Sequence, residues 1–179
     1  MKKAIFLDRD GVLNRSVFLE GVPKPPISVD DVEILEGVIE AIQILKNCNL
    51  VPIVVTNQPD VARGQITKFT VNEINAHIGS FVGIENFYTC FHDDNDFCNC
   101  RKPAPGLLIQ AAHDLDLDLN GSFMVGDRWR DITAGQSVGC QTYFIDYSYP
   151  ERTPNVPFRR VSSLLEAAEH IKVDQNVAK

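Results

Sequence analysis

The stretch AIFLDRDG, residues 4–11, decides how the rest of the chain is interpreted. Its four apolar residues run directly into Asp8, Arg9 and Asp10, and Gly11 follows. A short, continuously apolar run is typical of a parallel strand that is buried on both faces. The sequence therefore predicts a buried strand that ends on a pair of carboxylates.

Similar apolar runs recur along the chain and alternate with helical patterns. The other predicted strands are LVPIVVT (50–56), SFMVGD (122–127), QTYFID (141–146) and, more weakly, ENFYTC (85–90). The predicted helices are GVIEAIQILKN (37–47), TVNEINAHIGSFV (70–82), PGLLIQAAHDLDL (105–117) and SSLLEAAEHIK (162–172). This alternation predicts an α/β fold, a Rossmann-like three-layer sandwich whose central parallel sheet of about five strands has helices on both faces.

Composition limits the classes of protein to consider. The 179 residues are 44% hydrophobic and 23% charged, as in a soluble globular protein, and we expect one domain spanning residues 1–179. No apolar run approaches the roughly 20 residues of a membrane span, and no signal-peptide cleavage site follows the N-terminal lysines, so we expect a cytoplasmic protein. The net charge of −7 argues against a nucleic-acid partner. An anionic substrate would then need locally concentrated positive charge.

Polar residues follow three of the predicted strands. Asp8-Arg9-Asp10, Thr56-Asn57-Gln58 and Gly126-Asp127-Arg128 come directly after apolar runs. Ligands of open parallel sheets bind beyond the carboxyl ends of the strands, so we expect these residues to converge. Asp8 and Asp127 could share a hard cation such as Mg²⁺, which takes one or two protein carboxylates.

These residues fit the chemistry of phosphoryl transfer. Asp8 would be the nucleophile, since carboxylates form aspartyl-phosphate intermediates, and Asp10 would be the general acid and base. Thr56 would donate a hydrogen bond to phosphoryl oxygens, and CRKPAPG (100–106) would bring Arg101 and Lys102 to the same rim. Each residue alone has a simpler explanation, such as a turn or a helix cap. Their combination predicts a phosphatase.

The motifs DRDGVLN (8–14), VVTNQ (54–58), RKPAPG (101–106) and GDRWRDI (126–132) resemble, in order, the four motifs of haloacid dehalogenase (HAD) superfamily phosphatases. The resemblance implies that Asp8 is the nucleophile and a Mg²⁺ ligand, and that Asp10 is the acid/base and binds Mg²⁺ through its backbone carbonyl. It also implies that Thr56 and Lys102 stabilise the phosphoryl group and that Asp127 completes the protein ligands. The spacing of the motifs leaves no room for a large cap domain.

A cluster of soft metal ligands lies in CFHDDNDFCNC, residues 90–100. Cys90, His92, Cys98 and Cys100 make a tetrahedral Cys₃His zinc site plausible, and four protein ligands would leave no open position for catalysis. The alternative is a set of reduced, unliganded thiols, because a disulfide is disfavoured in the cytoplasm. We predict a structural zinc that fixes the zinc-binding loop (residues 90–100) just before Arg101.

The loop together with RKP resembles two phosphatase families, those of D-glycero-D-manno-heptose 1,7-bisphosphate and of histidinol phosphate. The flanking motifs resemble the heptose family more closely. That resemblance implies removal of the 7-phosphate in nucleotide-activated heptose and lipopolysaccharide biosynthesis, by a monomer that acts on a small phosphorylated sugar and needs no membrane. The residues expected to contact the substrate are Arg9, Asn57, Gln58, Arg63, Arg101 and Arg128.

Several alternatives stay open. A histidinol-phosphate phosphatase needs acids near a cationic substrate, and Asp93, Asp94 and Asp96 could supply them. Pro59-Asp60 departs from the small residue and glycine that the heptose family has after its second motif. A polynucleotide 3′-phosphatase is disfavoured by the acidic charge and the lack of a basic stripe with aromatics. A non-catalytic zinc-loop module would not require the complete set of catalytic acids and lysine.

Overall fold

The computed structural model describes residues 1–19 and 22–177. The strands are β1 (Lys2–Leu7), β2 (Val17–Leu19), β3 (Val22–Lys24), β4 (Leu50–Asn57), β5 (Asn86–Cys90), β6 (Leu117–Gly126), β7 (Gln141–Ile145) and β8 (Arg159–Val161). The α-helices are α1 (Val38–Asn47), α2 (Lys68–Val82), α3 (Gly106–Leu115), α4 (Trp129–Ser137) and α5 (Leu164–Val177). Short 3-10 helices cover Val29–Asp31 and Asp94–Asp96.

Six strands form one parallel sheet in the order β5-β4-β1-β6-β7-β8, which confirms the predicted fold class. The sheet has one strand more than the sequence predicted. The additional strand, β8, has only three residues, and its two arginines are exposed, so it has no apolar run to reveal it. From β1 the chain adds β4 and β5 on one side and then β6, β7 and β8 on the other, so the strand order reverses at β1. Asp8 follows β1 directly, and parallel sheets bind ligands at such a reversal point.

The two faces of the sheet carry separate apolar layers. Alternate residues of β1 point to opposite faces, so Ile5 and Leu7 pack with α1, α2 and α5, whereas Ala4 and Phe6 pack with α3 and α4. The same division explains why the last four residues of β1 are all apolar, since neither face meets solvent there, whereas Lys2 and Lys3 at its start are exposed. This layering holds the carboxyl end of β1 rigidly within the sheet.

The capping boxes that the sequence suggests predict the start of one helix better than that of the other. The sequence suggests a capping box from Thr70 to Glu73, but α2 begins one turn earlier, where the Thr67 side chain accepts a hydrogen bond from the Thr70 amide. For α5 the sequence suggests a capping box from Ser163 to Glu166, and the observed hydrogen bonds are close to it. The Ser163 hydroxyl accepts from the Glu166 amide, and the Glu166 carboxylate accepts from the Ser162 amide. In both cases a hydroxyl satisfies an amide of the first turn.

No cap domain occurs within the described residues. The connection between β1 and α1 holds only the antiparallel β2–β3 hairpin and a 3-10 turn. Residues 23–25 of this hairpin segment reach the rim of the cleft described below. Among residues 1–19 and 22–177, no helix combines the length and the apolar character that a membrane span requires.

Candidate active site

An open cleft of about 580 Å³ lies at the carboxyl ends of the central strands. The ends of β1, β4 and β6 bring Asp8, Asn57 and Asp127 to its floor, as the sequence predicts. The rim comes from the β2–β3 hairpin, the zinc-binding loop and the segments around α4 and β7. The polar and aromatic residues that line the cleft include Asp8, Asp10, Asn57, Asp60, Arg63, Asp94, Arg101, Lys102, Asp127, Arg128, Trp129, Arg130, Asp131, Glu151 and Arg152.

Lys102 lies at the centre of the floor, with only 1% of its surface exposed. Its ammonium group donates to Asp8 Oδ1 at 2.9 Å and to the Val55 carbonyl at 2.7 Å, and it lies 2.6 Å from Asp131 Oδ1. Burial by itself would lower the pKa of Lys102, but Asp131 and Asp8 outweigh it and raise the pKa. The lysine is therefore a fixed positive charge next to Asp8.

Asp131 is a site residue that the sequence reasoning did not assign. It is 1% exposed, and besides meeting Lys102 it accepts a hydrogen bond from the Arg128 amide at 2.9 Å. Its carboxylate thus joins the start of α4 to Lys102. Its spacing from Asp127, one helical turn, is the signal that could have identified it.

Asp8 and Asp127 carry charges that are costly without a positive partner. Burial raises the pKa of Asp8 to about 6, against the lowering effect of Lys102. Burial, Asp8 and Asp131 together raise the pKa of Asp127 as well. A backbone without a side chain at Gly11 is needed here, because a Cβ at this position would collide with the Asp127 carboxylate. The carboxylates are therefore packed closely enough for a bound cation to relieve their mutual repulsion.

The donor set fits a hard divalent cation. Asp8, Asp127 and Asp131 each offer an oxygen, and these oxygens lie within 4.8 Å of one another. Asp127 Oδ1 is buried and has no hydrogen-bond partner, whereas both oxygens of Asp131 are occupied by Lys102 and the Arg128 amide. Asp8 and Asp127 are accordingly the side chains that would hold Mg²⁺, which suits oxygen ligands and few protein carboxylates.

Asp10 is held by three donors at the edge of the cleft. Its carboxylate pairs with Arg9 at 3.0 Å and accepts from Asn14 Nδ2 at 3.0 Å and Gln58 Nε2 at 2.8 Å. The Arg9 side chain is fully buried and also donates to Asn75, so the prediction that Arg9 contacts substrate is wrong. Gln58 is 1% exposed and is likewise turned towards Asp10. Both residues orient the predicted acid/base.

Thr56 and Asn57, the last two residues of β4, contact the residues that form the site. Thr56 is 1% exposed, and its hydroxyl accepts a hydrogen bond from Gln58 Nε2 at 3.0 Å. Asn57 brackets the backbone of Lys102, donating to its carbonyl at 3.0 Å and accepting from its amide at 3.1 Å. Asn57 therefore fixes the segment that delivers the lysine.

Cys90, His92, Cys98 and Cys100 converge as predicted. Cys100 Sγ lies 3.2 Å from Cys90 Sγ, 3.4 Å from Cys98 Sγ and 3.2 Å from His92 Nδ1, and Cys90 Sγ lies 3.7 Å from Cys98 Sγ. Zinc–sulfur bonds of about 2.3 Å in a tetrahedron put sulfurs about 3.8 Å apart, so the four atoms can enclose one metal ion. Cys100 is followed directly by Arg101 and Lys102.

The predicted arginines Arg63, Arg101 and Arg128 all reach the cleft, and each is paired with an acid. Arg63 contacts Asp93 at 2.9 Å and Asp60 at 3.1 Å. Arg101 Nε donates to Asp94 Oδ1 at 2.8 Å, and Arg128 pairs with Glu151. Their charges are therefore partly or fully offset.

Three further residues on this rim were not predicted as site residues, although two of them, Trp129 and Arg130, lie within the fourth motif. Trp129 lies between two guanidinium groups, with the Arg152 Cζ 3.4 Å and the Arg130 Cζ 4.9 Å from its ring centroid. Arg130 shares Asp94 with Arg101. Arg152 has no ion pair within residues 1–19 and 22–177, so its charge is not offset there.

Comparisons with known proteins identify the family of the chain. Residues 99–149 match the HAD-hydrolase-like family model. The D-glycero-β-D-manno-heptose-1,7-bisphosphate 7-phosphatase of Pasteurella multocida is 37% identical over 149 residues, which cover 77% of this chain and 78% of the relative. The chain belongs to this family of HAD phosphatases. The resemblance inferred from the four motifs is thereby confirmed.

Other members of the family match over nearly the whole chain. The Escherichia coli K12 enzyme of the same name is 31% identical over 190 aligned positions, covering 98% of this chain and 96% of that protein. The crystal structure of D,D-heptose 1,7-bisphosphate phosphatase from B. bronchiseptica, complexed with magnesium and phosphate, superposes with a TM-score of 0.84. It is 28% identical and covers 96% of this chain and 99% of that one. The family members are thus named as phosphatases and have the fold described above.

Proposed function

We propose that the protein is a Mg²⁺-dependent phosphatase that removes the 7-phosphate of D-glycero-D-manno-heptose 1,7-bisphosphate. The observation that carries the proposal is the arrangement of Asp8 and Asp127 around buried Lys102, with Asp127 Oδ1 left without a protein partner. The names of the relatives supply the sugar. When bound, the ion would offset the clustered carboxylates and polarise the phosphoryl group.

The protein's own residues divide the reaction into two displacements. Asp8 attacks phosphorus, the bond to the sugar oxygen breaks, and Asp10 gives that oxygen a proton. Asp10 then takes a proton from water, which attacks the aspartyl phosphate and releases free Asp8 and phosphate. Lys102 stabilises negative charge on the transferring group throughout, and Thr56 is proposed to contribute as a further hydrogen-bond donor.

The second phosphate needs uncompensated positive charge, and the rim offers it on one side. Arg63 faces two acids, and Arg128 faces Glu151. In contrast, Arg101 and Arg130 share the single carboxylate of Asp94, and Arg152 stacks on Trp129. We propose that the second phosphate binds on the Trp129 side, where positive charge exceeds negative charge.

The same pairings weigh against histidinol phosphate. Its cationic groups would need free acids, but Asp93 and Asp94 are already paired with arginines. A hydrogen bond from the Asn95 amide and contact with Arg63 lower the pKa of Asp93, and contact with Arg101 lowers that of Asp94. These acids hold the basic rim and are not directed at a cationic ligand.

Steady-state phosphate release tests the proposed substrate. We expect kcat/KM for the heptose bisphosphate to exceed that for histidinol phosphate by about 100-fold, because two charge-assisted hydrogen bonds are worth about 1.5 kcal/mol each. The Arg152→Gln variant should lose about tenfold of this preference, equivalent to one such bond. Arg159→Gln is the matched control, since Arg159 pairs with Asp174 away from the cleft. An equal or higher kcat/KM for histidinol phosphate would refute the proposed substrate and favour a histidinol-phosphate phosphatase.

We also propose that Cys90, His92, Cys98 and Cys100 bind one structural Zn²⁺. Four protein ligands leave no position for a reacting water, and the ion would fix the zinc-binding loop. Because Arg101 and Lys102 follow Cys100 directly, order in this loop bears on both the rim and the catalytic lysine.

Metal analysis tests the zinc proposal. Purified protein should contain about one zinc per chain, and Cys98→Ser should lower this value while reducing thermal stability, because a structural site with three protein ligands binds zinc less tightly. Cys48→Ser is the control, since Cys48 is a free thiol outside the cluster. A fully active wild-type protein that contains no zinc would refute the proposal.

The remaining predictions stay proposals of the same kind. We propose one catalytic domain over residues 1–179 that acts as a monomer, because the cleft of one chain already holds Asp8, Asp10, Lys102 and Asp127. We propose a cytoplasmic location, where the five free cysteines would stay reduced and able to bind metal.

A further inference from the structure

The segment that follows β7, residues 146–153, crosses the edge of the active site, and we call it the strap. It makes three polar contacts with the catalytic floor. The Tyr147 hydroxyl donates to the Gly11 carbonyl at 3.0 Å, the Tyr149 hydroxyl donates to Asp127 Oδ2 at 2.9 Å, and Glu151 pairs with Arg128. The phosphatase chemistry described above does not require any of these contacts.

The contact from Tyr149 divides the two oxygens of Asp127 between different tasks. Oδ2 is taken by the tyrosine hydroxyl, whereas Oδ1 is buried and has no partner. Oδ1 is therefore the oxygen open to a cation, whereas a cation that bound through both oxygens would have to share Oδ2 with the tyrosine hydroxyl.

The tyrosine ring is itself held in position. It packs against Tyr147 with ring centroids 5.6 Å apart, and the Arg128 guanidinium lies 5.2 Å from its centroid. The Arg128 amide donates to Asp131, so the same residue connects the tyrosine to the network around Lys102. These contacts limit the ability of the hydroxyl to move away when a cation approaches.

We propose that Tyr149 is a positioning residue that restricts Asp127 to coordination through one oxygen and so favours Mg²⁺ over Ca²⁺. Mg²⁺ requires near-octahedral geometry at short distances, while Ca²⁺ accepts carboxylates that bind through both oxygens. Engaging Oδ2 disfavours coordination through both oxygens, the mode that the larger ion accepts. The inference rests on the proposed magnesium centre and adds to it a determinant of metal selectivity.

Calorimetric titration of the full-length protein with each metal alone tests the proposal. The protein is freed of Mg²⁺ and Ca²⁺ by passage through metal-depleted buffer, without a chelator that would strip the zinc-binding loop. In Tyr149→Phe, the ratio of the Ca²⁺ to the Mg²⁺ dissociation constant should fall about tenfold, the equivalent of one hydrogen bond to a charged group. In Tyr147→Phe, which removes a neighbouring hydroxyl that does not touch Asp127, the ratio should stay at the wild-type value.

An unchanged ratio in Tyr149→Phe would overturn the proposal, as would an equal fall in Tyr147→Phe. Wild-type crystals soaked in Ca²⁺ provide a test that does not depend on a variant that folds. Asp127 should bind Ca²⁺ through one oxygen, with the Tyr149 contact intact, and binding through both oxygens would contradict the inference. These measurements use no sugar, so they can be interpreted even if the proposed heptose substrate is wrong. A wild-type protein that binds no Mg²⁺ would overturn the proposed metal centre itself.

Discussion

Replacing Asp8 with asparagine should lower kcat by at least about 10⁴-fold, as expected when a nucleophile is removed. A carboxamide cannot form the aspartyl phosphate, and one of the two acids proposed to hold Mg²⁺ is lost with it. The fold should survive, because an asparagine oxygen can still accept the hydrogen bond from Lys102. Burial raises the pKa of Asp8 to about 6, so the carboxylate is still the main form at neutral pH but is less favoured than in an exposed aspartate, and a neutral amide is tolerated there.

The measurement is single-turnover phosphate release with Mg²⁺, with circular dichroism to verify the fold. Asp114→Asn on the exposed side of α3 is the matched control and should have wild-type rates. Mass spectrometry must exclude deamidation of the new asparagine, which would restore aspartate. Wild-type turnover by intact Asp8→Asn protein would remove Asp8 from the role of nucleophile.

The part of the site that could be predicted from sequence is the part that follows from strand ends. Asp8, Thr56 and Asp127 each come directly after an apolar run, and parallel strands bring their carboxyl ends to one edge. The convergence of Cys90, His92, Cys98 and Cys100 was also predictable, because they lie within eleven consecutive residues. In both cases the spacing along the chain carries the spatial information.

The residues that sequence reasoning missed act across long separations. Tyr147 contacts the carbonyl of Gly11, which lies 136 positions earlier in the chain. Arg152 contacts Trp129 only because the strap turns back over α4. Arg9 shows the opposite error: it lies between Asp8 and Asp10 in sequence, yet its side chain points into the protein towards Asn75. Motif spacing does not reveal side-chain direction beyond a strand end.

The structure also gives Lys102 a role in stability that the motif alone does not indicate. Replacing it with methionine, which is of similar length, should lower the free energy of unfolding by about 3 kcal/mol without added Mg²⁺. The reason is that Asp8 and Asp131 would each keep a buried charge with no positive partner. We expect kcat to fall by about 10³-fold as well, the effect of losing one electrostatic contact to the transferring group.

Urea unfolding in metal-depleted buffer measures the stability change. Lys46→Met is the matched control, because the Lys46 ammonium donates to the Gly83 carbonyl at the surface. Its free energy of unfolding should differ from the wild-type value by less than about 0.5 kcal/mol. Adding Asp131→Asn to Lys102→Met should recover part of the loss, because one of the two unpaired charges is removed. If the double variant were no more stable than Lys102→Met, the cost would come from packing and not from charge. Recovery without any return of activity would separate the two roles of the lysine, since only the stabilising role can be replaced by removing a negative charge.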